Sequence, residues 1–262
     1  MPRINAPHFL FLSLALASIS LAACADPRLD RAKSAALSAL PGPVAREVVA
    51  QAEKDPKRFL NLLAQVEKDE AALPGLLRRV DKAVALPEGF VPPDLVALDG
   101  TGLSVSREGH KLRRPAFEAL KRMDAAARAD AITLLVGSSF RSYAYQVEVY
   151  ARTVKETGSE AAADRISARP GHSQHQLGMA LDFAPIDEGF AETKASRWLS
   201  ANAARFGFSL SYPKGFEEVT GYSWESWHYR YIGVAACELQ KEYFGDVQEY
   251  LLLFMEAWKA SR

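Results

Sequence analysis

Two histidines and an aspartate stand where they could share one ion. In the stretch Arg169 to Phe183, RPGHSQHQLGMALDF, residues Ser173, His175 and Asp182 fit the pattern S-x-H-x-x-G-x-A-x-D. A second imidazole follows at His228, in Glu225-Ser226-Trp227-His228. Zinc prefers four ligands, so His175, Asp182 and His228 form a three-ligand Zn2+ set that leaves one position for water, as catalytic sites do. Glu225 supplies the carboxylate that such a site needs, to take a proton from water and later hand it to a leaving amine. H-E-x-x-H is absent, which excludes thermolysin-like chemistry.

Spacing dictates what must hold these groups. Seven residues rise about 10.5 Å along a helix, too far for ligands that each lie about 2 Å from one ion. In a regular strand the odd separation sends His175 and Asp182 to opposite faces. The sequence therefore predicts His175 in a bend, Gly178 permitting the turn, and Asp182 on a strand from Met179 to Ala184. By the same reasoning Glu225 falls in a turn and His228 opens a strand from Trp227 to Ile232. His172 forms H-x-x-H with His175 and is the rival ligand. His110, alone in a polar stretch, is expected to take no part, and His8 lies in the leader.

These residues resemble the D-alanyl-D-alanine carboxypeptidases of the VanY type, relatives of the group that contains lysostaphin and the hedgehog signalling domain. The motifs are Ser138-Ser139-Phe140-Arg141-Ser142-Tyr143 with Gln146, then Ser173-Gln174-His175 through Asp182, then Glu225-Ser226-Trp227-His228. All three occur in family order, over roughly the last two thirds of the chain. Phe140 stands where many relatives have tyrosine. The resemblance implies that His175, Asp182 and His228 bind zinc and that Glu225 is the general base. It further implies that Arg141 polarises the scissile carbonyl, while Gln146 and Ser173 hold the substrate's terminal D-alanine. The implied reaction is hydrolysis of the terminal D-Ala from peptidoglycan stem peptides. An L,D-carboxypeptidase or a peptidoglycan endopeptidase on the same scaffold stays open, as does a non-catalytic, zinc-stabilised cell-wall binding module.

The elements that position these residues can be read from periodicity. Pro115 to Ala129 reads as a helix, Ala131 to Val136 as a buried strand, and Tyr143 to Val154 as a helix carrying Gln146, with Arg141 in the turn between. Glu192 to Phe206 reads as a helix ending at Gly207, followed by a strand from Phe208 to Tyr212. Phe216, Tyr222 and Trp224 are candidates to line a peptide groove. Val247 to Trp258 has the apolar spacing of a terminal helix covering the sheet. The expected fold is α+β, an antiparallel sheet with flanking helices as in the hedgehog and DD-peptidase group, preceded by a small helical N-terminal region.

That region spans residues 24–85, with apolar spacing at Phe59, Leu62, Leu63 and Val66 and again from Leu73 to Val84. Asp55 before Pro56 reads as an N-cap followed by proline at the first helical position. It is either a spacer that lifts the catalytic unit or a set of helices packed upon it, and the periodic stripe favours packing. The proline-rich run Leu86 to Pro93 marks the boundary of a catalytic domain over 86–262.

Residues 1–23 carry a weakly basic start, an apolar run and small residues before Cys24, the signature of a secretion signal. Leu21-Ala22-Ala23-Cys24 resembles a lipobox, which makes Cys24 the lipidation site and the protein a membrane-anchored lipoprotein facing the periplasm or cell wall. The alternative is an ordinary Ala-x-Ala cleavage site. With Cys24 acylated, Cys237 has no partner, and its apolar surroundings point to an inert thiol rather than a nucleophile. Lys plus Arg and Asp plus Glu are 32 each, so no net field attracts nucleic acid. With 262 residues and 48% hydrophobic content there is ample material for a core, while nothing sets an oligomeric state.

Overall fold

The structure, a computed structural model, describes residues 26–261. Three helices come first: α1 (Pro27–Ala39), α2 (Gly42–Lys54) and α3 (Pro56–Ala72). Each opens with proline in its first turn, where a missing N–H costs nothing. Asp26 and Asp55 cap α1 and α3 by accepting from the backbone N–H of Arg28 and Arg58. The apolar spacing from Leu73 to Val84 does not continue as helix. Pro74 and Gly75 turn the chain, and residues 74–94 run as an irregular strap in which Leu76, Leu77 and Val80 are nevertheless buried.

Short strands β1 (Leu95–Ala97), β2 (Ser104–Val105) and β3 (Lys111–Arg113) follow the strap, then α4 (Arg114–Ala129), β4 (Leu135–Ser138), α5 (Tyr143–Thr157) and α6 (Glu160–Ile166). Next come β5 (Ala180–Phe183), α7 (Lys194–Asn202), β6 (Phe208–Leu210), α8 (Glu217–Thr220), β7 (His228–Tyr231), α9 (Val234–Tyr243) and α10 (Gln248–Ala260). The first three strands carry no alternating apolar signal and escape a sequence reading. β4 lies nearer to Arg141 than the run 131–136 suggests, since Ala131 turns at positive φ and delays the strand. The helix expected over 192–206 breaks at Ala203 into a 3₁₀ turn that ends at Gly207.

The fold is α+β, with a five-stranded sheet in the order β2-β4-β5-β7-β6. All its pairs are antiparallel except the β2–β4 edge. β1 and β3 form a separate antiparallel pair. Alternation divides the chemistry of the central strands. Leu181, Phe183, Tyr229 and Tyr231 fall on one face, and Asp182, His228 and Arg230 on the other. On the apolar face Phe183 meets Tyr229 edge-on, and Tyr231 meets Phe208.

The polar face is closed by the strap and the 3₁₀ turn Gln174–Leu177. Arg230, fully buried, donates to the carbonyls of Leu76 and Arg78, Leu86 N–H bonds Gly171, and Gln176 donates to Pro87 and Phe90. α1 packs on α10 and α3 packs on α9. The buried residues of the first three helices thus join those of the sheet in one continuous apolar cluster. Among the described residues no helix is long and apolar enough to cross a membrane.

Candidate metal centre

β5 and β7 pair so that Asp182 and His228 are direct cross-strand partners. Opposed residues of an antiparallel pair project to the same face with their side chains in contact, so the register alone brings carboxylate and imidazole together. His175 arrives from the 3₁₀ turn. Ser173 caps that turn by accepting from His175 N–H, and Gly178 ends it in the left-handed region at φ +69°. A Cβ on Gly178 would fall 2.9 Å from Leu95 Cδ2, so glycine serves both the turn and the packing. His175, Asp182 and His228 are each 3% exposed or less, and their candidate ligand atoms all lie within 4.8 Å of one another.

Hydrogen bonds elsewhere decide which atoms face inward. His175 Nδ1 lies 2.7 Å from the Ser139 carbonyl, an acceptor only, so Nδ1 carries the proton and Nε2 presents its lone pair. On the other ring, His228 Nε2 lies 3.3 Å from the Gln174 amide oxygen, leaving Nδ1 to face the centre. Asp182 Oδ2 stands 3.1 Å from His175 Nε2, and Asp182 Oδ1 stands 2.9 Å from His228 Nδ1. Despite that closeness, His175 Nε2 and Asp182 Oδ1 have no hydrogen-bond partner. Buried polar atoms without a partner are costly. Lone pairs crowded on one point without protons between them are what a divalent cation would satisfy, and two imidazoles with one carboxylate suit zinc. The donor set fits the metal.

Electrostatics agree. Burial, followed by the Arg141 guanidinium, holds the His175 pKa down at about 4, so the ring is neutral near pH 7 and free to donate its lone pair. Burial opposes the charge on Asp182, but its attraction to His175 and His228 whenever those rings carry a proton outweighs it and keeps the carboxyl well below its ordinary range. Glu225 sits in the turn before β7, its Oε2 3.5 Å from His228 Nδ1. Its burial, with the Asp182 carboxylate second, pushes its pKa well above the usual carboxylate value.

Arg141 lies between β4 and α5, where Ser142 caps the helix. Its Nε donates to Ser138, Nη1 to Gln146 and Nη2 to Asp182, at 3.1 to 3.2 Å. Gln146 is fully buried and donates in turn to the Ala168 carbonyl at 2.7 Å. Two clefts meet at Arg141 and Glu225. One, about 190 Å³, is bounded by Ser173, His175, Tyr212, Tyr222 and His228. The other, about 430 Å³, reaches Asp182 and is lined by Ile166, Ile186, Trp224 and Trp227. Tyr222 and Trp224 therefore face different clefts, while Phe216 packs edge-on against Tyr250.

The remaining candidates sort by contact. His172 Nδ1 pairs with the Asp81 carbonyl, and His172 is not in the three-residue cluster. His110 departs from expectation: it is 2% exposed, and its Nδ1 lies 3.0 Å from the Ser139 hydroxyl. Ser139 thus joins His110, through its side chain, to His175, through its carbonyl. Such a backbone acceptor leaves no trace in sequence; only the place of Ser139 beside Arg141 in the motif hints at it. Cys237 is a buried free thiol, pushed up in pKa by that burial. Cys24 and the leader 1–23 lie outside the described residues.

Comparison with known proteins gives a consistent answer. Residues 109–234 match the family VanY, D-alanyl-D-alanine carboxypeptidase. YodJ of Bacillus subtilis (strain 168) is 34% identical over 174 residues, 63% of each chain. The chain thus spans less than two thirds of that relative. A structure of the LdcB LD-carboxypeptidase, described as revealing peptidoglycan recognition, is 34% identical with a TM-score of 0.57 and covers 64% of this chain and 85% of its own. A structure of the vancomycin-resistance D,D-pentapeptidase VanY from a VanB-type cassette, a glutamate-to-alanine mutant with Zn(II), is 33% identical with a TM-score of 0.56. It covers 67% of this chain and 98% of its own.

Proposed function

The chain belongs to the VanY family of D-alanyl-D-alanine carboxypeptidases, and from that premise we propose that it is a zinc-dependent carboxypeptidase releasing the terminal D-Ala of peptidoglycan stem peptides. The observation that carries this reading is the convergence of partnerless donor atoms on His175 and Asp182 with His228 Nδ1, beside Glu225 and Arg141, where two clefts meet.

His175 Nε2, Asp182 and His228 Nδ1 would hold the ion, which when bound supplies Lewis acidity and can bring the pKa of water to about 7. Glu225 takes the proton of the attacking water on its carboxylate and returns it to the departing amine. Burial, with the Asp182 carboxylate second, raises its pKa and so makes it a stronger proton acceptor than a solvated glutamate. Arg141, fixed by Ser138, Gln146 and Asp182, directs its guanidinium at the oxygen that gains charge. Ser173 borders the smaller cleft and faces the terminal residue, whereas Gln146, buried with both amide ends engaged and lining neither cleft, acts on the substrate only through Arg141, which it holds in place. The wider cleft takes the rest of the stem.

The region 24–85, through helices α1 to α3 and the start of the strap, serves as a buttress to the catalytic unit 86–262. The leader 1–23 exports the chain, and Cys24 carries a lipid that anchors it in the membrane, facing the periplasm or cell wall. Metabolic labelling with a fatty-acid analogue, lost in Cys24→Ser, tests the anchor.

The likeness to an LD-carboxypeptidase favours one second reading, cleavage of the tetrapeptide stem. Purified protein loaded with zinc and incubated with tetrapeptide, pentapeptide and cross-linked stems separates them by product mass. Loss of one alanine from the pentapeptide supports the proposal. Loss from the tetrapeptide alone supports the second reading, and no product from any stem would overturn both.

A further inference from the structure

The first residue of α10, Gln248, lies beyond the stretch that matches the family, yet it is joined to a metal-facing histidine through two hydrogen bonds. His228 can offer Nδ1 to an ion only if its proton sits on Nε2, and that ring atom faces the side-chain amide of Gln174. An amide has two ends. If its oxygen faces the ring, the required tautomer is stabilised; if its NH₂ faces the ring, the proton is driven to Nδ1 and the ligand is lost.

The surroundings of Gln174 choose the end. Ser211 Oγ lies 2.8 Å from Gln174 Oε1 and donates its proton there. Gln174 Nε2 lies 3.3 Å from Gln248 Oε1 and donates to it. A reversed Gln174 would set NH₂ against the His228 N–H and oxygen against oxygen at Gln248. Gln174, Ser211, His228 and Gln248 are each 4% exposed or less, so bulk solvent does not reach the amide and its protein partners set its direction. Gln248 Oε1 also lies 3.3 Å from Ser211 Oγ, so the same oxygen meets both donors at this end of the network.

We infer that Gln248 is a positioning residue for the metal centre, fixing the Gln174 amide and through it the tautomer and orientation of His228. This rests on the reading of His175, Asp182 and His228 as zinc ligands. It implies that the C-terminal helix, outside the matched stretch, sets how firmly the ion is held. Partners of metal-bound histidines are worth about 10- to 100-fold in affinity.

The test uses the full chain, with zinc affinity measured by chelator competition and the visible spectrum recorded after cobalt(II) substitution. Gln248→Met, similar in size without the acceptor, is expected to weaken zinc by about 10- to 100-fold and to alter the cobalt bands while far-ultraviolet circular dichroism stays native. Gln248→Glu, which keeps an oxygen toward Gln174, is expected to recover most of that loss. Unchanged zinc affinity and cobalt bands in Gln248→Met would overturn the inference. Should that variant not fold, Gln248→Ala removes the same acceptor with less bulk to place, and unchanged affinity there would be equally fatal. If the wild-type chain bound no zinc, the ligand assignment itself would fall, and this inference with it.

Discussion

Glu225 is pulled two ways. Burial and the Asp182 carboxylate favour its protonated form, and Arg141 and Lys82 favour its charge. The first pair wins, so the carboxyl binds a proton more tightly than a solvated glutamate does and is the stronger base toward water. Glu225→Gln keeps the shape and removes the basicity. The expected result is a fall in kcat of about 10²- to 10⁴-fold with little change in KM and zinc content intact, since Glu225 is not among the three donors. Stopped-time assays with metal analysis check this, and turnover at the wild-type rate would remove Glu225 from the chemistry. At this scale the sequence was most informative. His175, Asp182, Glu225, His228 and Arg141 are types whose chemistry is visible wherever they stand, and their motifs set them in order. Ser139 and Gln174 were hidden, because one acts through a carbonyl and the other through the orientation of an amide.

Elements convert those separations in sequence into ångströms. Asp182 and His228 are brought together by one register, and Gly178 ends the 3₁₀ turn that delivers His175 to the same point. Gly178→Ala puts a Cβ 2.9 Å from Leu95, 3.1 Å from Arg113 and 3.2 Å from Pro92, on a backbone at φ +69°. The expected loss of stability is about 1–3 kcal/mol, read from denaturant midpoints, with weaker zinc retention because the strained turn holds His175. Undiminished stability would mean that β1 and the strap yield freely. Periodicity foresaw α3, α4, α5 and α10, where an apolar stripe repeats for several turns. It failed between Leu73 and Val84. Pro74 and Gly75 break the backbone there, yet Leu76, Leu77 and Val80 still join the apolar cluster, while Arg230 satisfies the carbonyls of Leu76 and Arg78 that a helix would have paired. Strands of two or three residues, such as β1 and β2, are too short to show a period at all.

At the scale of the whole molecule two sets of helices remote in sequence pack on each other, the N-terminal three against the C-terminal pair α9 and α10. Phe59 of α3 joins them, its ring 4.9 Å from Tyr243 and 6.2 Å from Phe254. Phe59→Ala is expected to cost about 3–5 kcal/mol, seen as a lower melting temperature. A much smaller cost would show α3 to be dispensable to the core. A second join is electrostatic. Glu249 of α10 shares a hydrogen bond with Asp81 of the strap, while Arg79 pairs with Asp81 at 2.7 Å and Arg230 also faces the group. Burial first, then Asp81, pushes the Glu249 pKa from 4.5 up to about 7. Folding therefore holds a proton that the unfolded chain releases, so this group's stabilisation is complete below pH 4.5. It declines as pH rises toward 7 and is flat above. Glu249→Gln retains the hydrogen bond without the ionisation. It should raise stability by on the order of 1–3 kcal/mol at pH 8 and leave it nearly unchanged at pH 4.5. Urea titrations at the two pH values decide the matter: an equal effect at both would mean that Glu249 keeps an ordinary carboxylate pKa and that strap and helix meet without a shared proton.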